Sequence, residues 1–214
     1  MIKVVVADDH AIVREGLKRI ITSSGDMTVV AEAADGAEVM QQVRGLDFEV
    51  LVLDLSMPGR SGMELIKLVR NEKPKLRILV LSMHQELQYA VRAIKSGANG
   101  YLTKESTPLL LLHVLRKIAA GSAYISADVA EQLALGSMRG GVSAPHERLS
   151  DREFEVFRLI AGGVSVSDIA VRLNLSAKTI STHKANLMQK MDMRNQSELI
   201  RYAIKHGVAE PLEP

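Results

Sequence analysis

Ile2-Lys3-Val4-Val5-Val6-Ala7-Asp8-Asp9-His10 opens the chain with a run of β-branched residues that stops at two adjacent carboxylates. A short apolar run bounded by polar residues reads as a buried strand. Runs of the same kind return at residues 28–31, 50–53, 77–81 and 100–102. Between them the apolar residues take helical spacing, as in Ile12, Val13, Leu17, Ile20 and Ile21, then Leu65, Ile66 and Val69, then Leu87, Val91 and Ile94. Strands that alternate with helices imply a parallel sheet covered on both faces, because parallel strands need crossover connections. A last helix over 107–120 completes a (βα)5 doubly wound α/β domain.

In such a sheet, ligands bind beyond the carboxyl ends of the strands. Asp8 and Asp9 follow the first strand, Asp54 the third and Ser82 the fourth, and Lys104 lies just past the fifth. Three carboxylates brought together raise one another's pKa unless a cation compensates them. Oxygen-only ligation favours Mg2+. Held ionised, Asp54 is able to attack a phosphoryl donor, with Lys104 and the Ser82 hydroxyl stabilising the phosphoryl oxygens. Taken singly, each of these residues is more often a cap on the helix that follows than a ligand; their joint placement at strand ends favours the site.

Two enzyme readings fit less well. A dinucleotide-binding dehydrogenase needs a Gly-x-Gly-x-x-Gly turn after the first strand, where this chain has Asp8-Asp9-His10. A haloacid-dehalogenase-type phosphatase also uses an aspartate nucleophile with Mg2+, but that family places a second aspartate where this chain has Ser56.

The quoted stretches Val4-Val5-Val6-Ala7-Asp8-Asp9-His10, Leu53-Asp54-Leu55-Ser56-Met57-Pro58-Gly59-Arg60-Ser61-Gly62, Leu81-Ser82-Met83 and Gly100-Tyr101-Leu102-Thr103-Lys104 resemble the receiver domain of two-component response regulators over residues 1–120. The resemblance implies that Asp54 is the phosphoacceptor. It implies that Asp9, Asp54 and the Ser56 backbone carbonyl bind Mg2+ directly, with Asp8 acting partly through water. Ser82 and Tyr101 are then the switch pair and Lys104 contacts the phosphate. Ser56 and His84 take positions that tune the phosphoryl lifetime, and His10 is expected to face the following helix without acting as a base. One departure is Glu105, where many receivers carry a proline in a cis bond. Before a non-proline residue that bond costs about 3 kcal/mol, which puts it in doubt here.

Composition shifts at Gly136-Ser137-Met138-Arg139-Gly140-Gly141-Val142-Ser143-Ala144-Pro145, which reads as a flexible linker preceded by a short helix over 126–135 capped by Ser126. Beyond it the pattern is helical: 151–161, 166–173, 177–191 and 196–206, with a frayed tail at 210–214. Ser150 and Glu153 form a capping-box pattern, Asn174 suits a tight left-handed turn and Ser176 caps the third of these helices. Ile180, Leu187 and Met191 fall on one side of it; Lys178, Ser181, Thr182, Ala185 and Gln189 fall on another. This is the pattern of a helix-turn-helix, with Lys178, Lys184 and Lys190 able to reach phosphates. A plain helical bundle with a polar exterior remains the alternative on these grounds. Residues 172–205 carry seven basic against two acidic side chains, a local excess that suits a polyphosphate partner.

Leu149-Ser150-Asp151-Arg152-Glu153, Ile169-Ala170, Leu173-Asn174-Leu175-Ser176 and Lys178-Thr179-Ile180-Ser181-Thr182-His183 resemble the LuxR-type DNA-binding domain over 148–207. The whole chain is thus similar to a NarL/FixJ-family response regulator: a receiver over 1–121, a linker over 122–147 and an all-α four-helix domain over 148–214. The resemblance implies that Lys178, Thr179, His183 and Lys184 contact the DNA backbone, and that Ser181, Thr182 and Ala185 face bases. Many relatives carry a basic residue at Ser181, so the sequence preference is open. It further implies a partner histidine kinase, double-stranded DNA as target, a homodimer paired through the last helix, and phosphorylation that separates the domains to free the recognition helix. A receiver acting as an unphosphorylated dimerisation module is the competing reading of the same architecture.

The chain has no cysteine, which excludes disulfides and thiolate metal sites and fits a reducing compartment. Nowhere do about eighteen apolar residues follow one another, and the N-terminal run is too short for a secretory core. The expectation is a cytoplasmic regulator without membrane segments and not a metabolic enzyme.

Overall fold

The computed structural model describes residues 1–57, 62–83, 87–138 and 144–208, with the backbone alone at 136–138. The chain divides into two compact units, Met1–Leu133 and Ala134–Pro214.

The first unit alternates strand and helix: β1 (Ile2–Ala7), α1 (Ala11–Ser23), β2 (Met27–Ala33), α2 (Gly36–Gly45), β3 (Val50–Leu53), α3 (Gly62–Glu72), β4 (Arg77–Ser82), α4 (Leu87–Lys95), β5 (Gly100–Thr103) and α5 (Pro108–Ala119). The strands pair in parallel in the order β2-β1-β3-β4-β5, so the order of the strands along the sheet reverses at β1. Successive side chains on a strand face opposite ways. Val4, Val6, Val50, Val52, Leu79 and Leu81 therefore share one face, where Leu17 and Ile21 of α1 and Leu111, Val114, Leu115 and Ile118 of α5 cover them. The intervening residues Val5, Leu51, Leu53, Ile78 and Val80 are equally buried and supply the other face. Both faces being dry is why these strands are continuously apolar.

Helix α2 stands where no helical spacing was marked. Only Gly36, Val39 and Val43 of it are buried, so its apolar stripe is thin, and its start is fixed by Asp35, whose side chain accepts from the Ala37 and Glu38 amides. Gly62 begins α3 against the preceding loop. A Cβ there would lie 2.6 Å from the Leu55 Cα, so no other residue fits without a backbone shift. Proline at the first position of α5 and the Thr107 side chain, which accepts from the Leu110 amide, fix that helix start.

Helix α6 (Ala127–Met138) begins at Ser126, whose hydroxyl accepts from the Val129 amide at 3.4 Å. It runs through Gly136, Ser137 and Met138, which their composition assigned to the linker. Gly136 and Ser137, of poorer helix propensity, are carried as the continuation of an established helix. The remaining linker positions 139–143, the tail 209–214, Pro58 to Ser61 and His84 lie outside the described residues.

The second unit opens with a 3-10 turn (Pro145–Arg148) and continues with α7 (Asp151–Ala161), α8 (Val166–Arg172), α9 (Ala177–Lys190) and α10 (Gln196–Lys205). Its core is Phe154, Phe157, Ile160, Ile169, Ile180, Leu187 and Leu199, each at most 2% exposed. All four helices stop in the same way. A residue with positive φ (Gly163, Asn174, Asp192 and Gly207) is followed by an apolar one whose amide reaches back five residues: Val164 to Leu159, Leu175 to Ala170, Met193 to Met188 and Val208 to Ala203. This is the Schellman ending, which satisfies the terminal carbonyls. No helix among the described residues is long and apolar enough to cross a membrane.

Candidate functional site

The acidic residues sit where their strands run out. The Asp8 amide donates to the Ala33 carbonyl of β2, and the Asp54 amide donates to the Ala7 carbonyl of β1, so each extends a ladder by one residue. Both are 1% exposed. Ligand atoms of Asp8, Asp9, His10 and Asp54 all lie within 4.8 Å of one another. The Lys104 Nζ is 2.6 Å from Asp8 Oδ2 and 2.9 Å from Asp54 Oδ2. Its backbone amide donates to the Ser82 carbonyl at 2.8 Å, tying the end of β5 to the end of β4. Asp54 Oδ1 accepts from the Ser56 amide at 3.1 Å, which folds the turn that carries the Ser56 carbonyl.

One ammonium here bridges two of the three carboxylates. Burial pushes the Asp54 carboxyl above its ordinary pKa, and Lys104 only partly offsets this. Burial also disfavours the charged form of Lys104, but its bonds to Asp8 and Asp54 outweigh that and hold its pKa above the usual lysine value. The surplus of negative charge, the convergence of carboxylate oxygens and their hard donor chemistry fit a divalent cation such as Mg2+, held by Asp8, Asp9 and Asp54.

His10 departs from expectation. Rather than facing α1, its Nδ1 lies 2.8 Å from Asp9 Oδ1 and 3.3 Å from Asp8 Oδ1. The carboxylate cluster attracts the imidazole more strongly than the apolar helix face does, and the ring remains two-thirds exposed. Ser82 is fully buried at the end of β4 and pairs in register with Thr103, while Tyr101, half-buried on β5, pairs with Val80. The Lys104–Glu105 peptide is trans.

In the second unit, α8 and α9 are joined by a turn in which Asn174 takes φ 51°. Ser176 caps α9 by accepting from the Thr179 amide at 3.0 Å. The buried stripe of α9 is Ile180 and Leu187, continued by Met191 at its C-cap. Lys178, Ser181, Thr182 and Ala185 are exposed and Thr179, His183 and Lys184 half-buried, so all the expected DNA-facing residues reach the surface. Lys184 Nζ donates to Gln196 Oε1 at 2.8 Å, and Thr182 Oγ1 donates back to the Lys178 carbonyl at 3.0 Å.

Lys190 is a correction. Its ammonium donates to Glu153 Oε2 at 2.7 Å and is thereby committed inside the unit instead of reaching for phosphate. Glu153, only 4% exposed, also accepts from the Ser150 amide at 2.8 Å, completing the capping box of α7. Burial opposes ionisation of Glu153, but Lys190 and the Ser150 bonds hold its carboxyl below the ordinary range.

A family model for the response regulator receiver domain matches residues 4–116, and one for bacterial regulatory proteins of the luxR family matches residues 147–203. The chain is a NarL/FixJ-family response regulator. The regulator is 38% identical over 216 residues to the oxygen regulatory protein NreC of Staphylococcus epidermidis (strain ATCC 12228), covering 97% of this chain and 99% of that one. It is 32% identical over 209 residues to the response regulator UvrY of Escherichia coli O157:H7, covering 97% and 96%. Among solved structures it resembles RcsB of Salmonella typhimurium, with TM-score 0.68 and 33% identity over 94% of this chain and 96% of that one. A second RcsB structure, bound to promoter rprA in the presence of the phosphomimetic BeF3-, gives a TM-score of 0.64 at 33% identity over 94% and 98%.

The regulator therefore combines a receiver with a LuxR-type DNA-binding domain and belongs to a family that regulates transcription. Its fold brings Asp8, Asp9, Asp54 and Lys104 together and sets Ser82 and Tyr101 on the two neighbouring strands. Arg14 is a functional candidate that motif reading alone passed over, and for Glu153 the capping box was read but not the Lys190 partner. Each is legible only through the partner that the fold brings to it.

Proposed function

We propose that this regulator is switched by transfer of a phosphoryl group from a partner histidine kinase to Asp54, and that the phosphorylated form binds double-stranded DNA as a homodimer in the cytoplasm. The observation that carries the reading is the convergence of Asp8, Asp9 and Asp54 at the C-terminal edge of the sheet together with the Lys104 ammonium. An Asp54 carboxylate oxygen attacks the phosphorus of phosphohistidine; the new P–O bond forms as the P–N bond breaks and the imidazole leaves with the electron pair. Mg2+, when bound by Asp8, Asp9, Asp54 and the Ser56 carbonyl, supplies charge neutralisation that lets the anionic donor approach. Lys104 neutralises the transferred oxygens, and the Ser82 hydroxyl donates to one of them, drawing Ser82 inward and opening space for Tyr101. Ser56 and His84 adjust how long the phosphoryl group survives. The switch is a population shift, which needs a differential of a few kcal/mol between the two states.

On DNA, Lys178, Thr179, His183 and Lys184 hold the phosphates, and Ser181, Thr182 and Ala185 meet base edges in the major groove. Helix α10 pairs with its copy to give two half-sites. The solved RcsB complexes with promoter DNA support this reading, as does the structure of two RcsB dimers bound to two parallel DNAs.

The test is binding to genomic DNA fragments with and without acetyl phosphate and Mg2+, for the wild type and Asp54→Asn. Phosphodonor should tighten wild-type binding and leave the variant unchanged. Equal binding under all conditions would leave the DNA-binding role standing and remove the phosphorylation switch, in favour of a receiver that acts as a constitutive dimerisation module.

A further inference from the structure

Asp9 is the least supported member of the acidic cluster. Asp8 is held at every polar atom: its amide by Ala33, its Oδ1 by the His10 amide at 2.8 Å, its Oδ2 by Lys104, and its carbonyl by the Arg14 Nη1 at 2.7 Å. The Asp9 carboxylate, 30% exposed, touches the exposed His10 ring among the described residues. The direction of Asp9 is therefore set by the main chain. The peptide joining Asp8 to Asp9 is planar, so holding the Asp8 carbonyl fixes where the Asp9 Cα points.

What holds that carbonyl is itself braced. Arg14 lies on the first turn of α1 with its side chain 17% exposed, and its Nε lies 3.3 Å from Glu32 Oε2 on β2. Glu32 is in turn held by Lys18, one turn further along α1, at 2.9 Å from Oε1. The Lys18 bond first, then Arg14, keep the Glu32 carboxyl below its ordinary pKa, so the brace stays ionised. A guanidinium suits this role because its donors form a rigid fork that spans two acceptors at once.

We infer that Arg14 is a positioning residue for the metal and phosphoacceptor site: braced on Glu32, it grips the Asp8 carbonyl and so aims Asp9 at the point where Asp8 and Asp54 converge. The inference rests on the reading of that cluster as a divalent-cation site. Two roles for Arg14 make opposite predictions. A cation that merely sat near the cluster would repel a divalent ion, and its removal would tighten metal binding. A positioning residue loosens metal binding when removed.

The test is calorimetric titration of the full chain with Mn2+ as the probe for the cation site, for wild type, Asp9→Asn, Arg14→Ala and Arg14→Lys. Melting in EDTA reports folding separately. Loss of outer-sphere partners typically weakens metal binding about 10- to 100-fold, and Arg14→Ala should fall in that range while keeping a cooperative, if lowered, melting transition in EDTA. Methylguanidinium added to Arg14→Ala should restore part of the affinity, and should do nothing for Asp9→Asn. Arg14→Lys folds with the charge kept but cannot span both acceptors, so it should also weaken binding; it carries the test if the alanine variant does not fold. Wild-type or tighter Mn2+ binding by either Arg14 variant overturns the positioning role and leaves the cation site intact. Failure of the wild type to bind Mn2+, or equal binding by Asp9→Asn, overturns the cation site and this inference with it.

Discussion

Replacing Lys104 with methionine keeps the side chain's length and removes its charge from between two buried carboxylates. Lys104 lies 2.6 Å from Asp8 and 2.9 Å from Asp54, and those two residues are each 1% exposed. Removing one partner of a buried ion pair leaves an uncompensated charge and costs about 3–5 kcal/mol. At roughly 4 °C per kcal/mol for a unit of this size, the receiver transition should fall by about 12–20 °C in EDTA. Mg2+ brings its own positive charge to the same carboxylates, so millimolar Mg2+ should recover most of the loss through binding to the folded form. The pH dependence has a fixed sign. Burial raises the pKa of Asp54 in the folded state, so that group costs stability as pH rises from its unfolded value through its raised one. Lys104, raised as well, stabilises below its unfolded value, and that contribution is lost as pH rises through its folded one. Without the lysine the Asp54 penalty grows, so the gap between variant and wild type should narrow as acid protonates the carboxylates. Scanning calorimetry of the full chain at several pH values, with EDTA or Mg2+, measures all three effects. Equal destabilisation in EDTA and in Mg2+, or a gap that widens on acidification, would refute the charge argument.

Four further variants have expected outcomes. Lys178→Ala should weaken DNA binding evenly across sequences and lower the slope of log affinity against log salt by about 1, read by fluorescence anisotropy at several salt concentrations. Lys190→Met should destabilise the C-terminal unit by about 1–2 kcal/mol, because it strands the Glu153 carboxylate, although the half-exposed lysine moderates the loss. The folded pKa of Glu153 is depressed, so its stabilisation is present above its unfolded value and fades as pH falls through the folded one; the variant should show less of that acid dependence in chemical denaturation. Asp192→Gly should raise the stability of the same unit by up to about 1 kcal/mol, since Asp192 takes φ 54° where glycine fits without strain, and Asn174→Val should lower it by about 1–2 kcal/mol, both read by urea midpoints.

The receiver was legible in the sequence because both faces of its sheet are dry. The central strands β1, β3 and β4 are nearly continuous apolar runs, and the polar residue that ends each marks the site edge, as at Asp8, Asp54 and Ser82. Where an element buries little, the pattern fades, as in α2 with Val39 and Val43. Helix ends were legible only in part. Asn174 stood out as a left-handed turn, while Gly163, Asp192 and Gly207 perform the same service without comment from their neighbours' composition. The continuation of α6 through Gly136 and Ser137 runs against propensity and could not be read locally. The role of Lys190 was misjudged because its partner, Glu153, lies 37 residues away and only the fold brings the pair together.

Glu153 also bears on how the DNA-binding unit opens. A single carboxylate accepts from the N-cap amide of one helix and from the last-turn ammonium of another. Fraying at the end of α9 therefore strips a partner from the start of α7, and loosening of that start releases the end of α9. The two termini should open as one cooperative patch in hydrogen exchange, with matching protection at the Ser150 amide and in the last turn of α9. The N-terminal end of α9, anchored instead by Ser176, is left outside that patch and can fray by itself.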